Sequence, residues 1–429
     1  MEGALTNIDS AELKTPKIQG ILRNLIKVVD EAKDIRNTVN FQNSSLRRGL
    51  TIVEDYIKSK KRICYGGMAV NAHLPAEYQF YDFSKNLPDY DFFTPEPEKD
   101  IETILYLLEK ENLPYVESKL GIHKGTVKIF VDFNAVADIT EVSHSFYTIL
   151  TSKAYTYKNI KYADANFLRM SMYVELSRPM GEVERWDKVY SRLLLFNQHV
   201  PFMNKNCKKT ALSKLSSIQR STLMNFCSEQ SLVYAGGDLE QVYNSEMEAF
   251  DSSRYPLIAY SSNIFADIQT LKSILESLPD SGRLRIYRWS PVDEFIPFLV
   301  GLVQNDKIIA ILVEISACHS YNTIVIHKNK MLRIASLDSL IALYFSLSYV
   351  KGLEGSIKTS YTCLANRLSM LSNSTRDNGK SGKFDPFPLT CTGHQPSKES
   401  LMVAKRLRVK EYKEKRNRQN KTKKKTKLV

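Results

Sequence analysis

The sequence predicts an α+β protein: a small mixed sheet flanked by helices, followed by a second, degenerate copy of the same unit. Three observations carry this. A strand-like run, Ile63-Cys-Tyr, enters Gly66-Gly67 and an apolar segment of helical character. Asp89 and Asp91 follow about twenty residues later between apolar residues, and residues 126–140 alternate apolar with polar as a strand does. The Gly-Gly pattern then returns in Val233-Tyr-Ala-Gly-Gly.

The elements follow in order. Residues 1–60 read as a helical region, with helical apolar spacing from Ile18 to Val29 and from Leu46 to Ser59. Residues 61–200 form the first α/β domain, with helices such as Ile101–Lys110 on one side of its sheet. Residues 201–350 form the second copy: Lys307–Ser320 echoes Val127–Thr140, while its middle element, Tyr255–Asp267, has no Asp-x-Asp. Residues 351–404 mix helix with a polar loop from Ser372 to Lys383, and 405–429 are a basic tail.

Composition sets outer limits. A chain of 429 residues with 43% apolar residues can bury two or three cores. Its longest apolar run, Ile308–Val313, is too short to cross a bilayer, and Met1–Ser10 lacks the basic start and apolar stretch of a secretory signal. The six cysteines are scattered, with no C-x-x-C pair; this spacing suits free thiols in a reducing compartment and argues against a zinc site or a disulfide framework. The net charge of +13 is concentrated in the tail, where thirteen Lys and Arg from Lys405 onward meet only Glu411 and Glu414, leaving the body near +2. Such a block repels itself, so the tail is expected to be disordered after about residue 415. Its readings are RNA contact first, then a nuclear address or a solubilising tail.

The chemistry lies in the first domain. Gly66 and Gly67 allow a tight turn whose bare N–H groups suit an anion, and the following helix adds its positive end. On a strand, Asp89 and Asp91 share one face. A third carboxylate comes from Thr126–Thr140, where Asp132 and Asp138 would share a side if the strand is unbroken. Asp138 is preferred because its run is almost wholly apolar, where an aspartate is costly unless paired or metal-bound; Asp132 has an alternative as an ion-pair partner of Lys128. Alone, a Gly-Gly pair is an ordinary turn and an Asp-x-Asp an exposed strand end. In this order, with a third carboxylate, they indicate a two-metal nucleotidyl transfer site using Mg²⁺ or Mn²⁺. Arg185, Lys188 and Arg192, three and four apart, share a helical face that could meet a triphosphate or a primer backbone. Trp186 and Tyr190 read as core.

Gly66-Gly67, Asp89-Tyr90-Asp91 and Val136–Thr140 resemble the nucleotidyltransferase core of polymerase-β type. The stretch Ser177-Arg-Pro-Met through Arg185-Trp-Asp-Lys-Val-Tyr to Leu193 is more specific. With Ser316–Asn322 and Ala335–Leu340 it is similar to segments of the poly(A) polymerase catalytic subunits of large DNA viruses: poxvirus, asfarvirus and mimivirus. The resemblance runs from about residue 20 to about 400. It implies template-independent addition of AMP from ATP to RNA 3′ ends, with Asp89, Asp91 and Asp138 on two metal ions and Gly66, Gly67, Arg185, Lys188 and Arg192 on the nucleotide. It also implies a degenerate second nucleotidyltransferase domain, a homodimer or a separate processivity subunit, and work in the host cytoplasm, in viral factories, with the virion or the nucleus as further destinations. The rival readings are an oligoadenylate or cyclic dinucleotide synthase, a tRNA-end enzyme, and a catalytically inactive RNA-binding subunit.

Overall fold

The computed structural model describes residues 16–83, 87–202, 215–243, 256–279, 282–292, 295–326, 330–377 and 384–426, with side chains as far as Glu414 in the last stretch. Two helices open it, α1 (Pro16–Gln42) and α2 (Ser44–Lys60). Asn43 separates them, and its side chain caps α2 by accepting from the Leu46 amide at 3.0 Å. Leu46, Leu50, Val53 and Ile57 lie at helical spacing and sink into the core. The helical runs expected in this region fall within α1 and α2; residues 1–15 lie outside the described ones.

The first sheet uses β1 (Ile63–Cys64), which leads into α3 (Gly66–His73), then β2 (Asp91–Thr94) and α4 (Pro97–Lys110). It continues through β3 (Glu117–Leu120), β4 (Thr126–Val131), β5 (Asn134–Glu141), α5 (His144–Lys153), β6 (Tyr155–Tyr157) and β7 (Ile160–Tyr162). Its strand order is β3-β4-β5-β2-β1-β7-β6, with β2 parallel to β5 and antiparallel to β1. The sheet is mixed, as expected. The single strand expected from Thr126 to Thr140 is instead a hairpin. Asp132 and Phe133, at φ 48° and 61°, form the two-residue turn whose left-handed conformation matches the twist of the strands it joins.

Helices α6 (Ala165–Leu176), α7 (Trp186–His199) and α8 (Ser217–Glu229) lead to the second sheet. Its elements are β8 (Val233–Tyr234), α9 (Leu239–Tyr243), β9 (Leu257–Ser261), α10 (Ile264–Glu276), β10 (Arg285–Trp289), β11 (Leu299–Gln304), β12 (Lys307–Glu314), β13 (His319–Val325) and β14 (Met331–Ala335). After α11 (Leu337–Leu347) and α12 (Gly355–Asp377), β15 (Cys391–Thr392) completes it. The order β10-β11-β12-β9-β8-β14-β13-β15 repeats the first sheet strand for strand, with β15 added at one edge. The local details repeat too. The Tyr65 amide donates to Asp91 O as the Ala235 amide donates to Ile258 O, and Asn305-Asp306, at φ 48° and 60°, turns as Asp132-Phe133 does.

The registers therefore align the two copies residue by residue. Ile63 pairs with Phe93 as Val233 pairs with Tyr260, and Asp91 pairs with Asp138 as Ile258 pairs with Ile311. The positions of Asp89, Asp91 and Asp138 are held in the second copy by Pro256, Ile258 and Ile311, and both isoleucines are fully buried. The counterpart of Lys307–Glu314 is β5, so the echo with Val127 onward is offset by one strand. The copies meet through equivalent helices, α6 after β7 and α11 after β14. Across that interface Tyr349 donates to buried Asp164, the cap of α6, at 2.8 Å.

Three further expectations are corrected. Ser372–Asp377, read as loop, ends α12, while 378–383 lie outside the described residues. The basic tail is carried by a helix, α13 (Lys398–Thr426), where disorder was expected after about 415; Lys, Arg, Glu and Gln are good helix formers even without an apolar face. The cysteines are not all free thiols. Cys318 is joined to Cys391, clipping β15 to the end of β13, and Cys363 is also disulfide-bonded, whereas Cys64 and Cys227 are buried thiols. A separation of 73 residues gives no spacing signal; the sheet brings the pair together.

Candidate active site

The Gly-Gly turn sits where β1 hands over to α3. Gly66 has φ +69°, and a Cβ there would lie 2.5 Å from Asp91 Oδ2, so the turn and the carboxylate are in direct contact. A Cβ on Gly67 would lie 2.6 Å from Tyr81 Oη and 3.0 Å from Arg192 Nη1. Both glycines thus keep open a cradle between the acidic strand and the basic helix.

Asp91 starts β2, directly opposite Asp138 on parallel β5, and the Asp138 amide donates to Tyr90 O at 2.9 Å. Paired residues on neighbouring strands project to one face, so Asp91 and Asp138 belong to one cluster. Asp89 lies just before the strand rather than on it, yet its charge is felt by Asp91. Tyr90, between them, turns away and donates to Glu54 of α2. Asp132 is elsewhere, in the hairpin turn, accepting from Asn43 Nδ2 at 2.8 Å. Lys128, expected as its partner, pairs with Asp138 instead because the hairpin sets residues 128 and 138 opposite each other.

Burial and the neighbouring charges of Asp89 and Asp138 push Asp91 up to about 8. Partial burial and Asp138 raise Asp89 as well, although Asp89 keeps more of its surface in solvent. Like charges crowded this way call for a cation. Among the described residues no three His, Cys, Asp or Glu side chains are arranged as a ready metal cage. The donor set nevertheless fits a hard divalent ion: carboxylates only, mutually repelling, beside a phosphate-type cradle.

The basic face is split. Arg192, on α7, reaches the site, donating to Tyr81 Oη at 3.3 Å with its guanidinium 4.7 Å from the Phe80 ring centre. Lys188 is exposed on the same helix; burial, Arg192 and Arg185 lower its pKa, and its charge acts on Asp89. Arg185 precedes α7 and is tied to Glu175 at 3.1 Å and Glu182 at 2.9 Å. Trp186 and Tyr190 pack on Phe387, as core residues would. Arg169 is fully buried and serves packing, donating to Asn197 Oδ1.

Sequence reasoning offered Lys128 only as a partner of Asp132, and missed Tyr81 and Tyr65. Tyr65 stacks on Phe93 at 4.0 Å and bonds Thr140 at 2.8 Å, under the carboxylates. The one available signal was the repeat: Asn305-Asp306 reads as a turn, and transferring it to Asp132-Phe133 would have set Lys128 opposite Asp138.

Residues 51–182, which hold all these carboxylates, match the family model of the poly(A) polymerase catalytic subunit. Two relatives bearing that subunit's name are similar to part of the chain. The one from Acanthamoeba polyphaga mimivirus is 29% identical over 34% of this chain and 25% of its own length. That from African swine fever virus is 30% identical over 35% of this chain and 31% of its own. The chain thus spans about a quarter to a third of the curated relatives it matches. A crystal structure of the Megavirus polyadenylate synthase shares the fold, with TM-score 0.73 at 18% identity, over 93% of this chain and 84% of that one. In sequence across residues 51–182, and in fold across nearly its whole length, the chain is similar to the poly(A) polymerase catalytic subunits of large DNA viruses.

Proposed function

We propose that this chain is a template-independent polynucleotide adenylyltransferase that adds AMP from ATP to RNA 3′ ends. The observation that carries the reading is the asymmetry between the copies. One keeps Asp89, Asp91 and Asp138 beside an open Gly-Gly turn, and the other replaces them with Pro256, Ile258 and Ile311 in the same fold. A binding module has no use for three crowded carboxylates at that cost in repulsion.

Asp89, Asp91 and Asp138 would hold two Mg²⁺ or Mn²⁺ ions. Bound there, such ions neutralise the triphosphate and stabilise charge on the attacking and leaving oxygens. The chain's own residues position the reactants. The amides at Gly66 and Gly67 cradle phosphate, Arg192 and Lys188 balance its charge from α7, and Lys128 holds Asp138 on the acidic side. In-line attack of the RNA 3′-hydroxyl on the α-phosphate releases pyrophosphate, with little acid–base chemistry asked of the protein.

The test is purified protein with Mg²⁺ or Mn²⁺, each labelled nucleotide in turn, with and without an RNA primer. ATP should be added only when primer is present. Oligoadenylates or cyclic products without primer would favour the rival enzymes, and no transfer at all would favour an inactive RNA-binding subunit. Asp89→Ala should lose more than nine-tenths of the rate while keeping the fold.

A further inference from the structure

Two stretches that the sequence singles out, and that the acidic site leaves partly unused, meet at the junction of the two copies. The Ser320 amide donates to Ser177 O at 2.9 Å, which sets Arg178, just past α6, near His319 at the start of β13. Both line a cavity of about 390 Å³, within the range of roughly 300–1,000 Å³ in which small-molecule sites fall. Neither the Gly-Gly turn, nor Asp89, Asp91 and Asp138, nor the basic residues of α7 line it. Tyr260, Phe295 and Phe298 supply aromatic walls. Another side comes from the segment after β15. His319 pairs with Thr392, and Gly393, at φ +96°, packs so closely on Ala317 that no side chain would fit between them. The chain then runs on to Gln395, which also lines the cavity.

This lining leaves hydrogen-bonding capacity unspent. His319 is only 9% exposed, and its Nε2 has no hydrogen-bond partner among the described residues; Gln395 Oε1 is likewise buried and unpartnered. Buried polar atoms in that condition call for a ligand or an ordered water. Burial and the charge of Arg178 push His319 down to about 3, so its ring is neutral and offers a hydrogen bond rather than a charge. Arg178 supplies positive charge of the kind that holds phosphate, while the acidic side chain of the lining, Glu314, is exposed. Aromatic walls suit a base. Adenine carries an amine that can donate to Gln395 Oε1 and ring nitrogens that can accept from His319 Nε2; uracil has no such amine. We propose that this cavity is a second adenine-nucleotide site, separate from the acidic one, with the base held by Gln395 and His319 and the phosphate by Arg178. Its occupant is a free nucleotide or one adenylate of a bound RNA, which share this chemistry. The site stands whether or not the acidic cluster transfers AMP.

Equilibrium dialysis of the full chain against labelled AMP in EDTA tests this, because without a divalent ion or a triphosphate the acidic site has little hold on a nucleotide. One AMP should bind per chain. Arg178→Gln, His319→Phe and Gln395→Leu should each weaken binding about tenfold, and Asp91→Asn should leave it unchanged. UMP should compete about tenfold less well than AMP. Displacement of AMP by an oligoadenylate would identify RNA as the source, and no displacement the free nucleotide; either sustains the site. No AMP bound at millimolar concentration, UMP or inorganic phosphate competing as well as AMP, or loss of binding in Asp91→Asn would each overturn the proposal. Gln395 is half-buried and outside the regular elements, so its variant reports even if His319→Phe misfolds.

Discussion

Asp91 shows what the site demands of a single side chain. Its pKa near 8, raised by burial and by Asp89 and Asp138, exceeds that of an unfolded aspartate. The native state therefore holds a proton that the unfolded chain has released. Between about pH 4 and pH 8 this makes stability fall as pH rises, and the contribution is complete only below the unfolded pKa. Asp91→Asn should remove that slope and stabilise the ion-free protein at pH 8 by on the order of 1 kcal/mol, read by urea unfolding at several pH values, while abolishing AMP addition. The third carboxylate is tested by its rival. Asp138→Asn should be inactive, whereas Asp132→Asn, which alters only a turn hydrogen bond with Asn43, should keep most of the activity. The reverse result would move the site to the hairpin turn.

At the scale of elements, α2 and α4 are locked to the sheet by one buried ionic cluster. Arg62, leaving α2, donates to Asp100 at 2.6 Å and Glu96 at 3.0 Å, and Tyr56 donates to Asp100 at 2.6 Å. Asp100 is fully buried on α4. Removing it leaves the buried Arg62 with only the part-exposed Glu96 and takes the acceptor from Tyr56, so Asp100→Ala should cost about 3 kcal/mol, measured as a lowered urea midpoint. Because α4 follows β2, the same substitution should loosen the strand that begins with Asp91 and reduce activity more than temperature alone explains.

At the scale of the molecule, α13 anchors before it extends. Arg408 donates to Gly121 O at 3.3 Å and Ile122 O at 2.7 Å, on the edge of the first sheet. Deleting everything after Arg408 keeps that anchor and removes ten basic residues. The core should stay folded and add single nucleotides to a saturating short primer. RNA affinity should fall, and its salt dependence should flatten by about 0.7 in slope for each RNA phosphate the tail no longer neutralises. Long products should become rarer because each dissociation ends a run of additions. An unchanged salt slope would assign the tail to targeting or solubility instead.

The sequence by itself determined the turn, the acidic strand, the helical entry and the repeat, because each is written in local period and in glycine, aspartate and apolar spacing. Val233-Tyr-Ala-Gly-Gly aligned with Ile63-Cys-Tyr-Gly-Gly without help from any tertiary pairing. Tertiary structure decided what depends on pairing across distance. It broke the expected strand at Asp132, turned Lys128 onto Asp138, brought Arg192 to Gly67 and tied Arg185 to glutamates instead. It also joined Cys318 to Cys391 across 73 residues. The physical reason is the same in each case: periodicity fixes which face a side chain takes, but only sheet register and helix packing fix what that face meets.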